Sequence, residues 1–146
     1  MARTGDFNND GHADLLLQNG QQLAGWLMNG TAIQSGSGSI GTLGAGWTVA
    51  GNGDFNGDGT ADILLQNGQQ LALWEMNGTT IQPGSGSIGT LGAGWMVAGV
   101  DDFNNDGHAD ILLQNGQQLA EWRMNGTAIQ PGSGGIGTLG AGWHPA

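Results

Sequence analysis

The residues with most chemistry to offer are nine aspartates in three groups of three. Asp6, Asp10 and Asp14 hold positions one, five and nine of a nine-residue segment; Asp54, Asp58 and Asp62, then Asp102, Asp106 and Asp110, repeat that spacing every 48 residues. Asn8, Asn56 and Asn104 add an amide oxygen at position three, and Gly11, Gly59 and Gly107 supply a turn at position six. Three carboxylates in nine residues, with no Lys or Arg among them, repel one another unless a cation lies between. Five or more hard oxygen donors suit Ca²⁺, whereas Mg²⁺ prefers a smaller octahedron and retains its waters. His12, Thr60 and His108 occupy position seven, where the main-chain carbonyl is the expected donor, so both imidazoles are expected to be spectators. One Ca²⁺ per loop is the expectation, three per chain; six added positive charges would move the formal net charge from −10 to −4. The competing reading is a metal-free polar turn held by its own Asx hydrogen bonds.

The elements around these loops read as strands. Position twelve, glutamate in a helix-flanked calcium loop, is Leu65 in the middle copy, inside the apolar run Ala61–Gln66. A short continuous apolar run suits a strand covered on both faces. Asn67-Gly68 then predicts a type I′ hairpin into a strand over 71–76. A second turn at Asn77-Gly78 leads to a fourth strand over 79–82, and residues 83–94 are expected to cross over to the next copy. Repeat units fall at about 3–50, 51–98 and 99–146. On the third strand Ala72, Trp74 and Met76 are constant between copies and are expected to face a neighbouring unit. The alternate positions vary (Gly25 and Leu27, Leu73 and Glu75, Glu121 and Arg123) and are expected to face mostly solvent. Four short strands per 48-residue unit predict an all-β propeller of three blades.

Composition narrows the function. Arg3 and Arg123 are the only basic residues besides three histidines, so neither nucleic acid nor an anionic membrane is an expected partner. No apolar run is long enough to span a bilayer, and the first residues lack the apolar core of a signal peptide. The 31 glycines recur at fixed turn positions and act as punctuation. Cysteine, tyrosine and lysine are absent and no His recurs in all copies, so an enzyme is not expected.

The segment running Val-Ala-Gly-x-x-Asp-Phe-Asn-x-Asp-Gly-x-x-Asp-Ile-Leu resembles the FG-GAP/VCBS repeat of integrin α-subunit heads and many bacterial secreted proteins. The resemblance covers all three units; the Gly-Ala-Pro element of integrins is absent, so the bacterial branch is closer. It implies a propeller with Ca²⁺ between the first and second strands of each blade, and a secreted or extracellular setting. It implies adhesion, sugar binding or service as an attached module, without choosing among them. A lectin-like or adhesive module is the first expectation, with Trp47, Trp95 and Trp143 and Gln22, Gln70 and Gln118 as candidate carbohydrate contacts. The alternative is a structural, self-assembling scaffold binding only calcium; recent duplication and deliberate repetition would both give such similar copies. Three blades are fewer than a ring needs. Trp143–Ala146 reads as the start of a first strand and Ala2–Phe7 as the end of one, so a head-to-tail homodimer closing a six-bladed ring is expected.

Overall fold

The computed structural model describes residues 3–146, whose regular elements are all strands. The first repeat contains β1 (Arg3–Gly5), β2 (Asp14–Asn19), β3 (Gln22–Trp26), β4 (Met28–Asn29), β5 (Ala32–Ile33) and β6 (Gly38–Thr42). The second contains β7 (Thr48–Gly53), β8 (Asp62–Asn67), β9 (Gln70–Trp74), β10 (Met76–Asn77), β11 (Thr80–Ile81) and β12 (Gly86–Thr90). The third contains β13 (Met96–Asp101), β14 (Asp110–Asn115), β15 (Gln118–Trp122), β16 (Met124–Asn125), β17 (Ala128–Ile129) and β18 (Gly134–Thr138). Each repeat makes one four-stranded antiparallel sheet, ordered β1-β2-β3-β6 in the first, with its two-residue strands paired as a small hairpin. The acidic loops join the first and second strand of each sheet. The expected strand end at Ala2 lies outside the described residues, and residues 143–146 are not in a strand.

Two local expectations change. The hairpins form, but their central residues are Gly-Gln rather than Asn-Gly, because Asn19, Asn67 and Asn115 still pair with Gln22, Gln70 and Gln118. Gly68 has φ +58° while neither neighbour is left-handed, which excludes type I′ and leaves Gly at the first central position, the type II′ requirement. The fourth strand is not 79–82 but the glycine-rich β12. Glu75 interrupts the ladder, and Met76 and Asn77 pair only locally with Ile81 and Thr80. A strand reading Gly-Ser-Ile-Gly-Thr has little β-propensity and forms because β9 offers it an edge. Its register shifts between Ser87 and Gly89, a bulge that sets Ile88 against the following blade.

The core lies between repeats. Phe7, Leu16, Leu23, Leu27 and Leu43 of the first sheet pack on Ala61, Ile63, Leu65 and Met76 of the second, with Trp74 and Ile81 beside them. Phe55, Leu64, Leu71, Leu73 and Leu91 of the second pack likewise on Ala109, Ile111, Leu113 and Met124 of the third. Each sheet thus has a trailing face toward the next and a leading face toward the one before. Two backbone bonds clamp each junction: Ala61 N–H donates to Asp6 O (2.7 Å) and Gly78 N–H to Phe7 O (2.7 Å), repeated by Ala109 to Asp54 (2.6 Å) and Gly126 to Phe55 (2.7 Å). This is a propeller-like array of three blades.

The constant face, Ala72, Trp74 and Met76, meets the preceding blade as expected. The variable face does not meet solvent. Leu27, Leu73 and Glu75 are buried, because that side of the third strand packs on the next blade. Only in blade 3 are its counterparts, Glu121 and Arg123, partly exposed, joined by an ion pair of 3.2 Å.

Candidate functional site

All three acidic loops fold alike. At position one, Asp54 Oδ1 accepts the Gly57 (2.7 Å) and Asp58 (3.1 Å) N–H groups, and Oδ2 accepts that of Gly59 (2.8 Å). Asp6 and Asp102 bind their loops in the same way, through Gly11 and Gly107 at 2.9 Å. At position three Asn56 accepts from Asp58 N–H at 3.0 Å and donates its amide to Asp58 Oδ2 at 3.1 Å; Asn8 and Asn104 repeat this on Asp10 and Asp106. At position five Asp58 Oδ1 accepts the Thr60 N–H (2.8 Å). Thr60 Oγ1 lies 2.6 Å from both Asp58 Oδ1 and Met76 O, and its single proton serves one at a time.

Each position-seven imidazole also reaches the position-five carboxylate of its own loop. His12 Nδ1 lies 3.1 Å from Asp10 Oδ1 and His108 Nδ1 3.3 Å from Asp106 Oδ1. The His12 and Asn8 donors hold Asp10 below the usual carboxylate range, and His108 and Asn104 do the same for Asp106. Asp58 is also lowered: burial opposes ionisation, but the Thr60 and Asn56 donors outweigh it.

Position nine has a structural task that spacing did not reveal. Asp62 is fully buried; Oδ2 accepts the Phe55 N–H and Oδ1 the Met76 N–H, each at 2.9 Å. Asp14 does the same for Phe7 and Met28 (both 2.8 Å), and Asp110 for Phe103 (3.2 Å) and Met124 (2.9 Å). This carboxylate staples the loop entrance to the small hairpin across seven and fourteen residues. Burial pushes Asp62 up to about 7 against those two donors, and the charges of Asp58 and Asp54 push the same way. Burial raises Asp110 too.

The three carboxylates of the middle loop therefore feel one another, the condition that favours a cation among them. Each oxygen accepting one N–H keeps a second lone pair, so the donor set is chemically suited to a hard ion. As the loops stand, the side chains close on their own N–H groups. Among the described residues, no three acidic or imidazole groups converge closely enough to hold a metal.

The family model described as FG-GAP-like repeat matches residues 6–65 and 54–113, each match opening on the first aspartate of a loop. The chain belongs to the FG-GAP-like repeat family. FG-GAP-like repeats generally form non-catalytic binding or adhesion modules and are typical of extracellular proteins. No curated protein matches the sequence significantly. A chain of the Photorhabdus luminescens Tc holotoxin pore aligns over 97% of this FG-GAP-like chain, with a TM-score of 0.60 and 18% identity. The aligned part is 7% of the toxin chain, and at that identity the likeness shows the fold alone. No helix among the described residues is long and apolar enough to cross a membrane.

The candidate carbohydrate contacts divide. Trp47 and Trp95 are half-buried and pack against the two inter-blade cores, whereas Trp143 is 72% exposed. Gln22, Gln70 and Gln118 are exposed, and their neighbours do the structural work. Gln69 Nε2 donates to Gly92 O (2.7 Å) and Trp95 O (3.0 Å), tying the hairpin to the tryptophan loop; Gln21 and Gln117 do likewise. In a Gln-Gln pair only the turn register decides which amide faces inward. Trp95 and Gln118 both line a cleft of about 340 Å³, walled also by Leu119, Ile136, Gly137 and Thr138.

Proposed function

We propose that this FG-GAP-like chain is a calcium-stabilised binding module, with one Ca²⁺ held by each acidic loop. Asp54, Asn56 and Asp58, the Thr60 carbonyl and Asp62 would hold the middle ion. Asp6, Asn8, Asp10, His12 and Asp14 would hold the first, and Asp102, Asn104, Asp106, His108 and Asp110 the third, the histidines through their carbonyls. The observation that carries this reading is the shared geometry of the three loops, in which the carboxylates at positions one and five and the amide at position three fold onto one turn above the buried carboxylate of position nine. A divalent ion would neutralise the repulsion among those carboxylates and pin the loop that supplies both backbone acceptors to the next blade. A site at 100 times its dissociation constant would add about 2.7 kcal/mol to folding. Native mass spectrometry in calcium should count three ions per chain, and chelator should lower the melting temperature. A chain that stays free of calcium at millimolar concentrations, with unchanged melting, refutes the proposal.

In an undocked chain the cleft that Trp95 and Gln118 both line offers a seat for carbohydrate, and covering its Ile136 and Gly137 wall with another blade would close it. An aromatic face beside amide and hydroxyl groups suits a pyranose ring. A glycan array in calcium tests this; binding abolished by Trp95→Ala supports it, and a blank array leaves the structural scaffold as the function.

A further inference from the structure

Among the described residues, no blade covers the trailing face of blade 3 or the leading face of blade 1. The repeat shows what those faces are shaped to meet, because each has two covered counterparts in the same chain. Phe7 and Phe55 are 1% and 0% exposed beneath the following blade; Phe103 is 47% exposed. Ile40 and Ile88 pack into the inter-blade cores, while Ile136 is exposed. On the other side Trp74 and Ile81 rest against Gly41 of the preceding blade, and Trp122 and Ile129 against Gly89. Trp26, the blade 1 counterpart of the half-buried Trp74 and Trp122, is exposed, and nothing approaches Gly137 within 4 Å. The backbone repeats the pattern. Asp102 O and Phe103 O lack the inter-blade donors that Asp6, Phe7, Asp54 and Phe55 have, and Ala13 N–H and Gly30 N–H lack the matching acceptors, among the described residues.

We propose that the trailing face of blade 3 docks on the leading face of blade 1 of a second copy, so that two chains close head to tail into a six-bladed ring. Both faces extend an interface already formed twice within the chain: the loop phenylalanine, the isoleucine, the glycine seat and the two donors opposite two acceptors all recur, while Glu121 and Arg123 stand where Leu73 and Glu75 do in blade 2. Two copies of these three blades make six, within the four to eight with which propellers close. One junction used twice about a two-fold axis leaves no face uncovered.

The intermolecular junction differs from the internal ones at Glu121, at Arg123 and at one position of the first strand. A Cβ at Gly5 would lie 2.9 Å from the Ala61 Cβ, and one at Gly53 2.8 Å from the Ala109 Cβ. The equivalent residue in blade 3 is Asp101, which faces the partner's leading strand and loosens this junction relative to the other two. Glu121 and Arg123, paired at 3.2 Å, keep the same face soluble before docking. The inference does not depend on what the loops bind.

The test is the mass of the chain in calcium-containing buffer across a dilution series, by sedimentation velocity and native mass spectrometry. The expected species is twice the 14.8 kDa chain. Gly137→Lys, placed in open space, should fold with an unchanged circular dichroism spectrum yet weaken dimerisation at least tenfold. Asp101→Gly, restoring the residue of blades 1 and 2, should tighten it at least tenfold. A chain that stays monomeric at 100 micromolar overturns the proposal (on the order of the weakest specific associations). So does an open-ended ladder of masses, or a dimer indifferent to both substitutions.

Discussion

The three loop phenylalanines provide an internal control on blade packing. Phe7, Phe55 and Phe103 sit at the same position of the same loop, and what differs is whether a blade follows. Truncating a fully buried Phe to Ala costs about 3–5 kcal/mol, from lost transfer energy and the cavity left behind. Phe55→Ala and Phe7→Ala should fall in that range. Phe103 retains about half its surface in water, and its removal opens the site to solvent, so no closed cavity forms. Half of a transfer energy of roughly 2 kcal/mol leaves about 1 kcal/mol for Phe103→Ala. A gap of at least about 2 kcal/mol is a factor of about 30 in the unfolding constant. Urea unfolding should be read in saturating calcium, at a dilution where sedimentation shows single chains. Repeat arrays sum unit and nearest-neighbour contributions, so the gap isolates one blade junction. Equal losses for Phe103→Ala and Phe55→Ala in the monomer would refute the assignment of blade 3's trailing face as uncovered.

Three further outcomes follow from particular contacts. Gly57 has φ +74°, and a Cβ there would lie 2.8 Å from His108 Nε2, whereas Asn9 and Asn105 hold the same loop position at φ 58°. Gly57→Asn should therefore cost up to about 1 kcal/mol, the imidazole tip having to move aside, and His108→Thr, which copies Thr60, should restore most of it; melting temperatures that simply add would exclude the clash. In chelator, the Asp62 contribution to stability is full below the ordinary carboxylate range and is lost as pH rises through about 7, because burial raises its folded-state value. The stability of the parent relative to Asp62→Asn should fall over that window, and a difference independent of pH would contradict it. Glu75 stands at the second junction where Leu27 occupies the first, but none of its polar atoms is buried without a partner, so its carboxylate reaches water and Glu75→Leu should shift stability by less than about 1 kcal/mol in urea unfolding; a larger loss would mean the carboxylate has a partner there.

The period and the loops were legible because they are local: three carboxylates at fixed spacing and Asn-Gly before an apolar run need no tertiary context. The fourth strand was not, since Gly-Ser-Ile-Gly-Thr carries no strand signal and is recruited by the free edge of β9. Spacing also could not show that Asp62 clamps Phe55 and Met76, because that bond joins the loop to a hairpin fourteen residues on. The most instructive error concerns the variable positions. Variation among copies read as exposure, yet Leu27, Leu73 and Glu75 are buried between blades. In a repeat array each junction joins two different copies, so a buried position can vary whenever its neighbours differ with it. A position can also vary against a constant partner: Leu27 approaches Gly78 and Glu75 the equivalent Gly126, a glycine seat that admits either side chain. His108, by contrast, stands where Gly57 makes space, while Asn9 faces a blade with Thr60. The differences therefore distinguish one junction from the next, and they bias the blades toward stacking in a single order. Near-identical repeats need such marks, because without them any blade could pack on any other with the same energy.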